Sequence, residues 1–440
     1  MSAGGQGHCA QPAGQDRAVC LRPQSRADSR RRGQCRYPRP RRRPRQPVAG
    51  RRARGGRWRA RPGLRRGGGG RGNGRARDHH AYRSRSWHGR RSGLDLRLLL
   101  RLRQDQRRVP LLIVVDRPRT DIVLGLLREP DGRVWAEVRP GDKHLAGLRA
   151  FPGGKRLNGE TPRAALVREL DEEIGIRVRR ARRVITLNWD YPDRRLRLIG
   201  FEVTAWTGRP RSVEGQALLA EPLDRDTRGD WLAAMPTANR GLVNALVLPR
   251  CLAITPSLGR EGMAAWLARV ESGLSSFTAP MLVNLRPGPE MDGEAVPWTS
   301  LAEAALAAGH WPVVNPSGDD ACLDGLDARV GVHLNHRRLL STARETVADW
   351  QARGRLVTAA VHDPVTMARA GELAVDLVTV SPVRATATHP QAKGIGWQRF
   401  GDLAALAPMP VYALGGVGPH DLPRIWRRGG FGVASISAFW

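Results

Sequence analysis

Lysine and glutamate are absent from the first 108 residues of this 440-residue chain, which contain 32 arginines and five aspartates. Glycine and proline separate the arginines, and aliphatic residues are few. Such a segment cannot bury enough apolar surface to offset the entropy lost on ordering, so we expect residues 1–108 to be disordered. Three interpretations stay open: an electrostatic arm for nucleic acid or an anionic surface, a plain tail, or GC-rich DNA translated upstream of the true start.

The rest of the chain lacks this excess of positive charge. Its 332 residues hold 41 basic and 36 acidic side chains, so most of the net charge of +32 comes from the first 108 residues. Net charge therefore does not identify the body of the protein as a nucleic-acid binder. We expect nucleic acid as a partner only if residues 1–108 belong to the native protein.

Cysteine and long apolar runs are also scarce. Of five cysteines, Cys251 and Cys322 lie beyond residue 108, and neither has the paired spacing of metal ligands. Isolated cysteines suit a reducing compartment. No apolar run reaches the roughly 20 residues of a membrane helix, and the N-terminus lacks the layout of a signal peptide. We expect a cytoplasmic protein without a membrane partner.

Apolar runs divide the remainder into two predicted domains, 109–248 and 249–440. The first has strand-like runs around one helix, beginning with "VPLLIVVD" at 109–116 and including a turn at 130–132. The second has eight short apolar runs, most of them alternating with helical segments. Eight strand–helix units in about 190 residues predict a compact (β/α)8 barrel, with an open doubly wound sheet as the alternative.

The stretch "FPGGKRLNGETPRAALVRELDEEIGI" predicts a helix rich in carboxylates. Thr161 suits the N-cap, Pro162 the first helical position, and Gly175 the left-handed residue that ends the helix. Three glutamates fall in one arc beside the apolar stripe, where like charges crowd each other. A hard cation such as Mg²⁺ would make that crowding favourable, while a solvated acidic face is the alternative.

The same stretch resembles the Nudix signature, with aliphatic residues at Leu170 and Ile176 as the signature requires. Further segments, "RPGDKHLAGLRA", "YPDRRLRL", "EGQ" and "MPTAN", resemble the MutT branch of the Nudix hydrolases. The matching fixed positions are Gly154, Glu160, Arg168, Glu169, Glu172, Glu173 and Gly175.

This resemblance implies an α/β/α sandwich with a mixed sheet. It also implies hydrolysis of an oxidised purine nucleoside triphosphate, 8-oxo-dGTP, to the monophosphate and pyrophosphate, with Mg²⁺ or Mn²⁺. Glu169 would be the base and Arg168 would orient the glutamates. The implied metal contacts are the Gly153 carbonyl, Glu169, Glu172, Glu173 and Glu214. The implied nucleotide contacts are Arg139, His144, Ala150, Phe151, Pro152, Gly153, Arg194 and Asn239.

Two departures from this branch concern the base-binding side. Ala150 stands where an acidic residue usually precedes "FPGGK", and the segment from Glu214 to Asn239 is longer and less apolar than the branch predicts. Asn239 can donate and accept hydrogen bonds together, as readout of an oxidised guanine requires, and a turn-forming asparagine is the alternative. Neither departure touches the predicted metal site.

The segments "ARVGVHLN", "VSPVRATATHP" and "ALGGVGPHDL" resemble the thiamine phosphate synthase and TenI family. That resemblance implies a barrel that binds a thiazole or thiamine phosphate. Pro316 and the segment "NHRRLL" after "GVHL" stand where the synthase would have two metal-binding aspartates, and His389 stands where it would have a lysine. These differences argue against the chemistry of the synthase. The candidate phosphate and acid–base residues are Arg286, His362, Gly415, Gly416, Ile436 and Ser437.

Two further hypotheses about function stay open at this point. One is a Nudix activity on a thiamine-related diphosphate, with the barrel binding its fragments. The other is nucleic-acid binding through the Arg-rich segment.

Overall fold

The computed structural model describes residues 119–141, 145–191, 194–258, 261–286, 296–316, 320–386 and 393–440. The predictions for residues 1–108, for the strand at 109–116, and for His144 and His389 lie outside these ranges. All described residues belong to one compact unit, Gly93–Trp440. None of the helices in these ranges is long and apolar enough to cross a membrane.

The N-terminal part, residues 119–248, is an α/β/α sandwich. Its sheets have the strand orders β1–β5–β4, with β1 parallel to β5 and β4 antiparallel, and β3–β2–β6, which is antiparallel. The strands are β1 (Arg119–Leu127), β2 (Arg133–Val138), β3 (Arg149–Ala150), β4 (Arg177–Asp190), β5 (Arg195–Thr207) and β6 (Ala217–Pro222). The helices are α1 (Pro162–Ile174), α2 (Arg228–Ala234) and α3 (Arg240–Val247).

Alternation along β1 explains the two layers of this sandwich. Val123 and Leu127 pack in the cluster that contains α1, whereas Leu124 and Leu126 pack in the cluster that contains α3. Both sets are buried, as expected for a strand covered on two faces. The predicted turn at 130–132 is present, since the Gly132 N–H donates to the Glu129 carbonyl at 3.0 Å.

Helix α1 begins and ends where its sequence predicts. The Thr161 hydroxyl accepts from the Ala164 N–H at 3.1 Å, and Gly175 is left-handed at φ 66°. Leu166, Leu170 and Ile174 are fully buried. A β-carbon on Gly125 of β1 would lie 2.8 Å from a Leu170 methyl, so this glycine lets α1 approach the sheet closely.

The C-terminal part is the predicted closed barrel, so the open-sheet alternative is wrong. Eight parallel strands follow in sequence order, and β14 pairs with β7 to close the ring. They are β7 (Cys251–Ile254), β8 (Leu282–Leu285), β9 (Trp311–Val314), β10 (Gly331–Leu334), β11 (Val357–Val361), β12 (Leu377–Val380), β13 (Val411–Leu414) and β14 (Gly432–Ser435). The surrounding helices are α4 (Met263–Ser276), α5 (Trp298–Ala307), α6 (His336–Ser341), α7 (Arg344–Ala352), α8 (Pro364–Glu372), α9 (Gly396–Ala404) and α10 (Leu422–Arg427).

One of the three hydrophobic clusters among the described residues spans both parts of the chain. Leu242 of α3 and Leu187 of β4 belong to the same buried cluster as Leu282, Trp311 and other residues at the beginnings of the barrel strands. The Arg225 guanidinium also donates to the carbonyl of His310 at 2.7 Å. The N-terminal part therefore covers the end of the barrel where its strands begin, and the opposite end is not covered by this contact.

Candidate active site

The glycine loop after β3 is held against β1. The Val123 N–H donates to the Gly154 carbonyl at 2.9 Å, and the Gly125 N–H donates to the Pro152 carbonyl at 2.8 Å. Gly153 has φ 137°, and a β-carbon there would lie 2.2 Å from the Val123 carbonyl oxygen. Only glycine fits this backbone conformation and this close approach.

Arg168 connects the first half of α1 to the preceding loop. Its guanidinium donates to both Glu160 carboxylate oxygens, at 2.7 and 3.0 Å, and to the Lys155 carbonyl at 3.1 Å. Its Nη1 donates to Glu169 at 2.9 Å and to Glu172 at 3.0 Å. The bonds from Arg168, together with the Leu157 N–H, lower the pKa of Glu160 to about 2. Arg168 thus lies where it can orient the glutamates.

Glu169 lies directly against the glycine loop. A β-carbon on Gly154 would be 2.2 Å from Glu169 Oε2, so the second glycine makes room for this carboxylate. Glu172 is the more open of the two, with 57% of its side chain exposed against 18% for Glu169. The two carboxylates therefore share Arg168 but differ in their access to solvent.

Glu173 is fixed by other contacts. The Gly153 N–H donates to Glu173 Oε2 at 2.6 Å. The Glu173 carbonyl accepts from the Val213 N–H and from Gln216 Nε2, both at 3.2 Å, which holds the loop carrying Glu214 at this end of α1. Burial, and then the negative charges of Glu137 and Glu214, raise the pKa of Glu173 to about 8.

Glu137 is a site residue that the sequence analysis did not identify. It lies on β2 directly opposite Ala150 of β3, and its carboxyl hydrogen-bonds Glu173. Opposite residues of an antiparallel pair share one face of the sheet. A carboxylate is therefore present on this face although Ala150 is not acidic. No local pattern in the sequence marks Glu137, because its place at the site depends on the pairing register of β2 and β3.

The carboxylates are engaged with protein groups in this conformation. Within the described ranges, no three histidine, cysteine, aspartate or glutamate side chains are grouped closely enough to hold a metal ion. The donor chemistry nonetheless fits a hard divalent cation, because clustered carboxylate oxygens are the ligands that such a cation prefers. Burial, and then the charges of Glu137 and Glu214, raise the pKa of Glu173, and a cation would neutralise that crowded negative charge. Glu169, Glu172, Glu173 and Glu214, with Glu137 beside them, would hold it.

The predicted nucleotide contacts lie on three segments of the N-terminal part. Arg139 follows β2, where its backbone pairs with Leu148, and Arg194 lies 5.6 Å from the Tyr191 ring in the β4–β5 hairpin. Phe151, 1% exposed, stacks on Trp231 at 6.0 Å, so its ring serves the core in this conformation. The segment 150–153 places Ala150 and Pro152 beside the glycine loop.

Asn239 lies at the end of a 3-10 turn, Thr237–Asn239, that leads into α3. It is 8% exposed, and its amide donates to Met235 Sδ at 3.9 Å, a weak acceptor. The amide therefore retains capacity to bind a ligand. The alternative of a turn-forming asparagine also describes its backbone, whose N–H donates to the Pro236 carbonyl at 2.8 Å.

All six barrel candidates lie at the carboxyl ends of strands. Arg286 follows β8, His362 follows β11, the glycine pair follows β13 and Ile436–Ser437 follows β14. Gly415 and Gly416 have φ of 99° and 64°. His362 Nδ1 lies 2.9 Å from the Ser381 carbonyl, and the ring of His336, which the sequence analysis did not identify, lies 5.6 Å away.

The chain is similar to known proteins of both kinds. The family model described as "NUDIX domain" matches residues 123–244, and the one described as "Thiamine monophosphate synthase" matches residues 322–439. An 8-oxo-dGTP diphosphatase of Escherichia coli K12 is 38% identical over 28% of this chain and 94% of the relative. A CTP pyrophosphohydrolase of the same organism is 35% identical over 22% of this chain and 72% of the relative.

For the barrel, a putative thiamine-phosphate synthase 2 of Aquifex aeolicus is 36% identical over 14% of this chain. The match spans 34% of that relative, about a third of its length. The signature helix, its arginine-linked glutamates and the near-complete coverage of the diphosphatase identify the chain as a Nudix hydrolase fused to a thiamine-phosphate-synthase-like barrel.

Proposed function

We propose that the N-terminal part, with its boundary near Leu248, hydrolyses oxidised purine nucleoside triphosphates. 8-oxo-dGTP is the favoured substrate, and nucleoside monophosphate and pyrophosphate are the products. This activity would remove oxidised nucleotides before they enter DNA. The observation that carries the proposal is the set of bonds from Arg168 to Glu160, Glu169 and Glu172 beside the glycine loop. The similarity to the diphosphatase supports the choice of substrate.

Mg²⁺, or Mn²⁺ in its place, would neutralise triphosphate charge and lower the pKa of a bound water. Side chains of the protein would position the base, accept the proton and bind the nucleotide base. Arg168 keeps Glu169 at one position, where its carboxylate can accept a proton from the attacking water. Asn239 presents an amide to the base.

A thiamine-related diphosphate is the second candidate substrate, and the fused barrel is the observation that favours it. We propose that the barrel holds the phosphate of a thiazole or thiamine compound between the ends of β13 and β14, near Gly415 and Ser437. Nucleic-acid binding rests on residues outside the described ranges and stays a prediction.

Product analysis tests the nucleotide proposal. The purified full chain is given Mg²⁺ and, separately, 8-oxo-dGTP, dGTP, CTP and thiamine diphosphate. We expect pyrophosphate from 8-oxo-dGTP at the highest kcat/KM. Glu172→Gln should lose a factor of about 100 or more, since a metal contributes several kcal/mol to the transition state.

Glu345→Gln is the matched control, because this exposed glutamate lies on barrel helix α7. It should retain wild-type rates. Equal rates in the Glu172 variant and wild type would refute the assigned site, and preferred turnover of thiamine diphosphate would favour the second substrate.

A further inference from the structure

One buried carboxylate of the barrel contacts both parts of the chain. Asp376, which precedes β12, is 1% exposed. Within the barrel it accepts from the Val357 N–H at 2.9 Å and from Gln351 Nε2 at 3.2 Å. Across the interface it accepts from Asn244 Nδ2 of α3 at 3.2 Å. A single side chain thus joins barrel strands to α3.

Two arginines of the N-terminal part pair with the same carboxylate. Arg228 of α2 lies 2.5 Å from Asp376 Oδ1, and Arg240 of α3 lies 3.7 Å from it. The Nη2 atoms of Arg228 and Arg240 form ion pairs with Asp376, but their geometry does not meet the criteria for a hydrogen bond. Arg228 Nε, in contrast, donates a hydrogen bond to Asn244 Oδ1 at 2.8 Å. Charges removed from water must be paired, so this cluster holds α2, α3 and the barrel in one arrangement.

Close backbone packing reinforces the same contact. A β-carbon on Gly241 of α3 would lie 2.9 Å from the Pro408 carbonyl oxygen of the barrel and 2.5 Å from a Leu187 methyl. A crevice between the parts is lined by Thr237, Arg240, Gly241 and Asn244 on one side and by barrel residues that include Pro408 on the other. These four positions form one face of the turn and helix, as their spacing of three and four residues requires.

Asn239 lies next to the face of α3 that packs against the barrel, but its side chain points away from that face. It directly precedes Arg240, and by helical spacing its side chain is on the opposite side from Gly241 and Asn244. Its neighbours Ala238 and Met235 belong to the core that contains Phe151 and Trp231. Because one face of α3 packs against the barrel, this contact determines the position of the Asn239 side chain on the opposite face.

We infer that Asp376 of the barrel is a positioning residue for the base-recognition edge of the Nudix site. The barrel anchors α2 and α3 and so fixes Asn239 relative to the carboxylates of α1. Asp376 touches no substrate and acts through Arg228, Arg240 and Asn244. This inference rests on the proposed nucleotide hydrolysis and adds that discrimination between bases depends on the barrel.

The test separates positioning from general stability. Asp376→Asn removes the charge at constant volume, and Gly241→Ala inserts a methyl group between α3 and the Pro408 loop without changing any charge. Asp349→Asn, at an exposed position of barrel helix α7, is the matched control. For each full-length variant one measures kcat and KM with 8-oxo-dGTP and dGTP, Mn²⁺ affinity without nucleotide, and Tm.

We expect kcat/KM for 8-oxo-dGTP to fall about 10- to 100-fold in both test variants, mostly through KM, as displacement of a contact by about 1 Å can do. The value for dGTP should fall less, so selectivity decreases. Mn²⁺ affinity should stay within about twofold, because the carboxylates lie on α1 and its loops. The control should match wild type.

Unchanged selectivity in either folded variant would overturn the inference. So would a loss of Mn²⁺ affinity equal to the loss of activity, because that pattern marks general loosening. Should one variant fail to fold, the other decides the question. A wild-type protein without preference for 8-oxo-dGTP would instead contradict the proposed substrate, and the KM of the nucleotide it does hydrolyse would still test the positioning role.

Discussion

The Nudix site and the open end of the barrel differ in how their polar groups are held. Around α1, Arg168, Glu160 and Glu169 bind one another and the neighbouring loop backbone. At the barrel end, Asn335 is used as the N-cap of α6, where it accepts from the Arg338 N–H at 3.0 Å. Pro316 has no side-chain ligand to offer. The side chains around α1 therefore bind one another as a catalytic site requires, whereas at the barrel end neither Pro316 nor Asn335 supplies a carboxylate.

Arg168→Lys should have the largest effect of these substitutions on nucleotide hydrolysis, because Arg168 joins three glutamates of the Nudix site. Lysine cannot reproduce the forked contacts to Glu160, Glu169 and Glu172. We expect kcat/KM for nucleotide hydrolysis to fall about 100-fold or more, because general-base catalysis contributes roughly 10²–10⁴ and needs a fixed base. Steady-state kinetics measures it.

Arg353→Lys provides the control for that substitution. Arg353 forms an exposed ion pair with Asp349 on a barrel helix. The kinetics of this variant should not change. An effect of Arg168→Lys as small as that of the control would mean that Arg168 is not required to orient the glutamates for catalysis.

Gly153→Ala tests the glycine loop through stability. The methyl group would meet the Val123 carbonyl oxygen at a φ of 137°, so we expect a loss of about 1–3 kcal/mol in the free energy of unfolding. Urea unfolding measures it. Gly159→Ala is the matched control, because Gly159 has φ 83° with nothing within 4 Å of its β-carbon position. Equal losses in the two variants would show that the close approach to β1 is unimportant.

The pKa of Glu173 predicts a dependence of stability on pH. Its folded value of about 8 exceeds the ordinary value of about 4.5, so between these pH values the folded state binds a proton that the unfolded state has lost. Without divalent cations, the Tm of wild type should fall by a few degrees as pH rises from 5 to 8.

Glu173→Gln isolates this contribution, because the amide does not titrate. Its Tm should change less than that of wild type across the same pH range, measured by thermal unfolding in chelator. Parallel curves for the two proteins would contradict a Glu173 pKa raised by burial and by the charges of Glu137 and Glu214.

His362→Gln should have the smallest effect on nucleotide hydrolysis. His362 lies at the end of β11, whereas the N-terminal part packs where the strands begin. We expect kcat/KM for 8-oxo-dGTP to stay within about twofold, as for surface changes in general. A large loss would show that the barrel end takes part in the reaction.

Local sequence predicted much of this molecule. Thr161, Pro162 and Gly175 delimit α1, and the eight apolar runs become the eight barrel strands. Strand β4 (Arg177–Asp190) extends beyond its apolar residues, because the mostly exposed Arg177–Arg183 half also pairs with β5. A paired strand segment whose side chains are polar and exposed has no apolar alternation from which the sequence could predict it.

Contacts between distant residues were not predictable. Glu137 reaches Glu173 only through the register of β2 and β3, and Asp376 meets Asn244 across 132 residues of chain. A buried aspartate beside an apolar strand resembles a surface aspartate in sequence. What the sequence leaves out is therefore the docking of the barrel on α3, on which our inference about base recognition depends.

Electron paramagnetic resonance of bound Mn²⁺, with and without a nucleotide analogue that cannot be hydrolysed, shows whether the α1 carboxylates hold a cation against a polyphosphate. Wild type should bind Mn²⁺ more tightly when the analogue is present, and the analogue more tightly when Mn²⁺ is present, by the same factor. Glu172→Gln should lose this mutual effect. Equal Mn²⁺ binding in both proteins, unaffected by the analogue, would contradict a role of the α1 carboxylates in holding a cation against a polyphosphate.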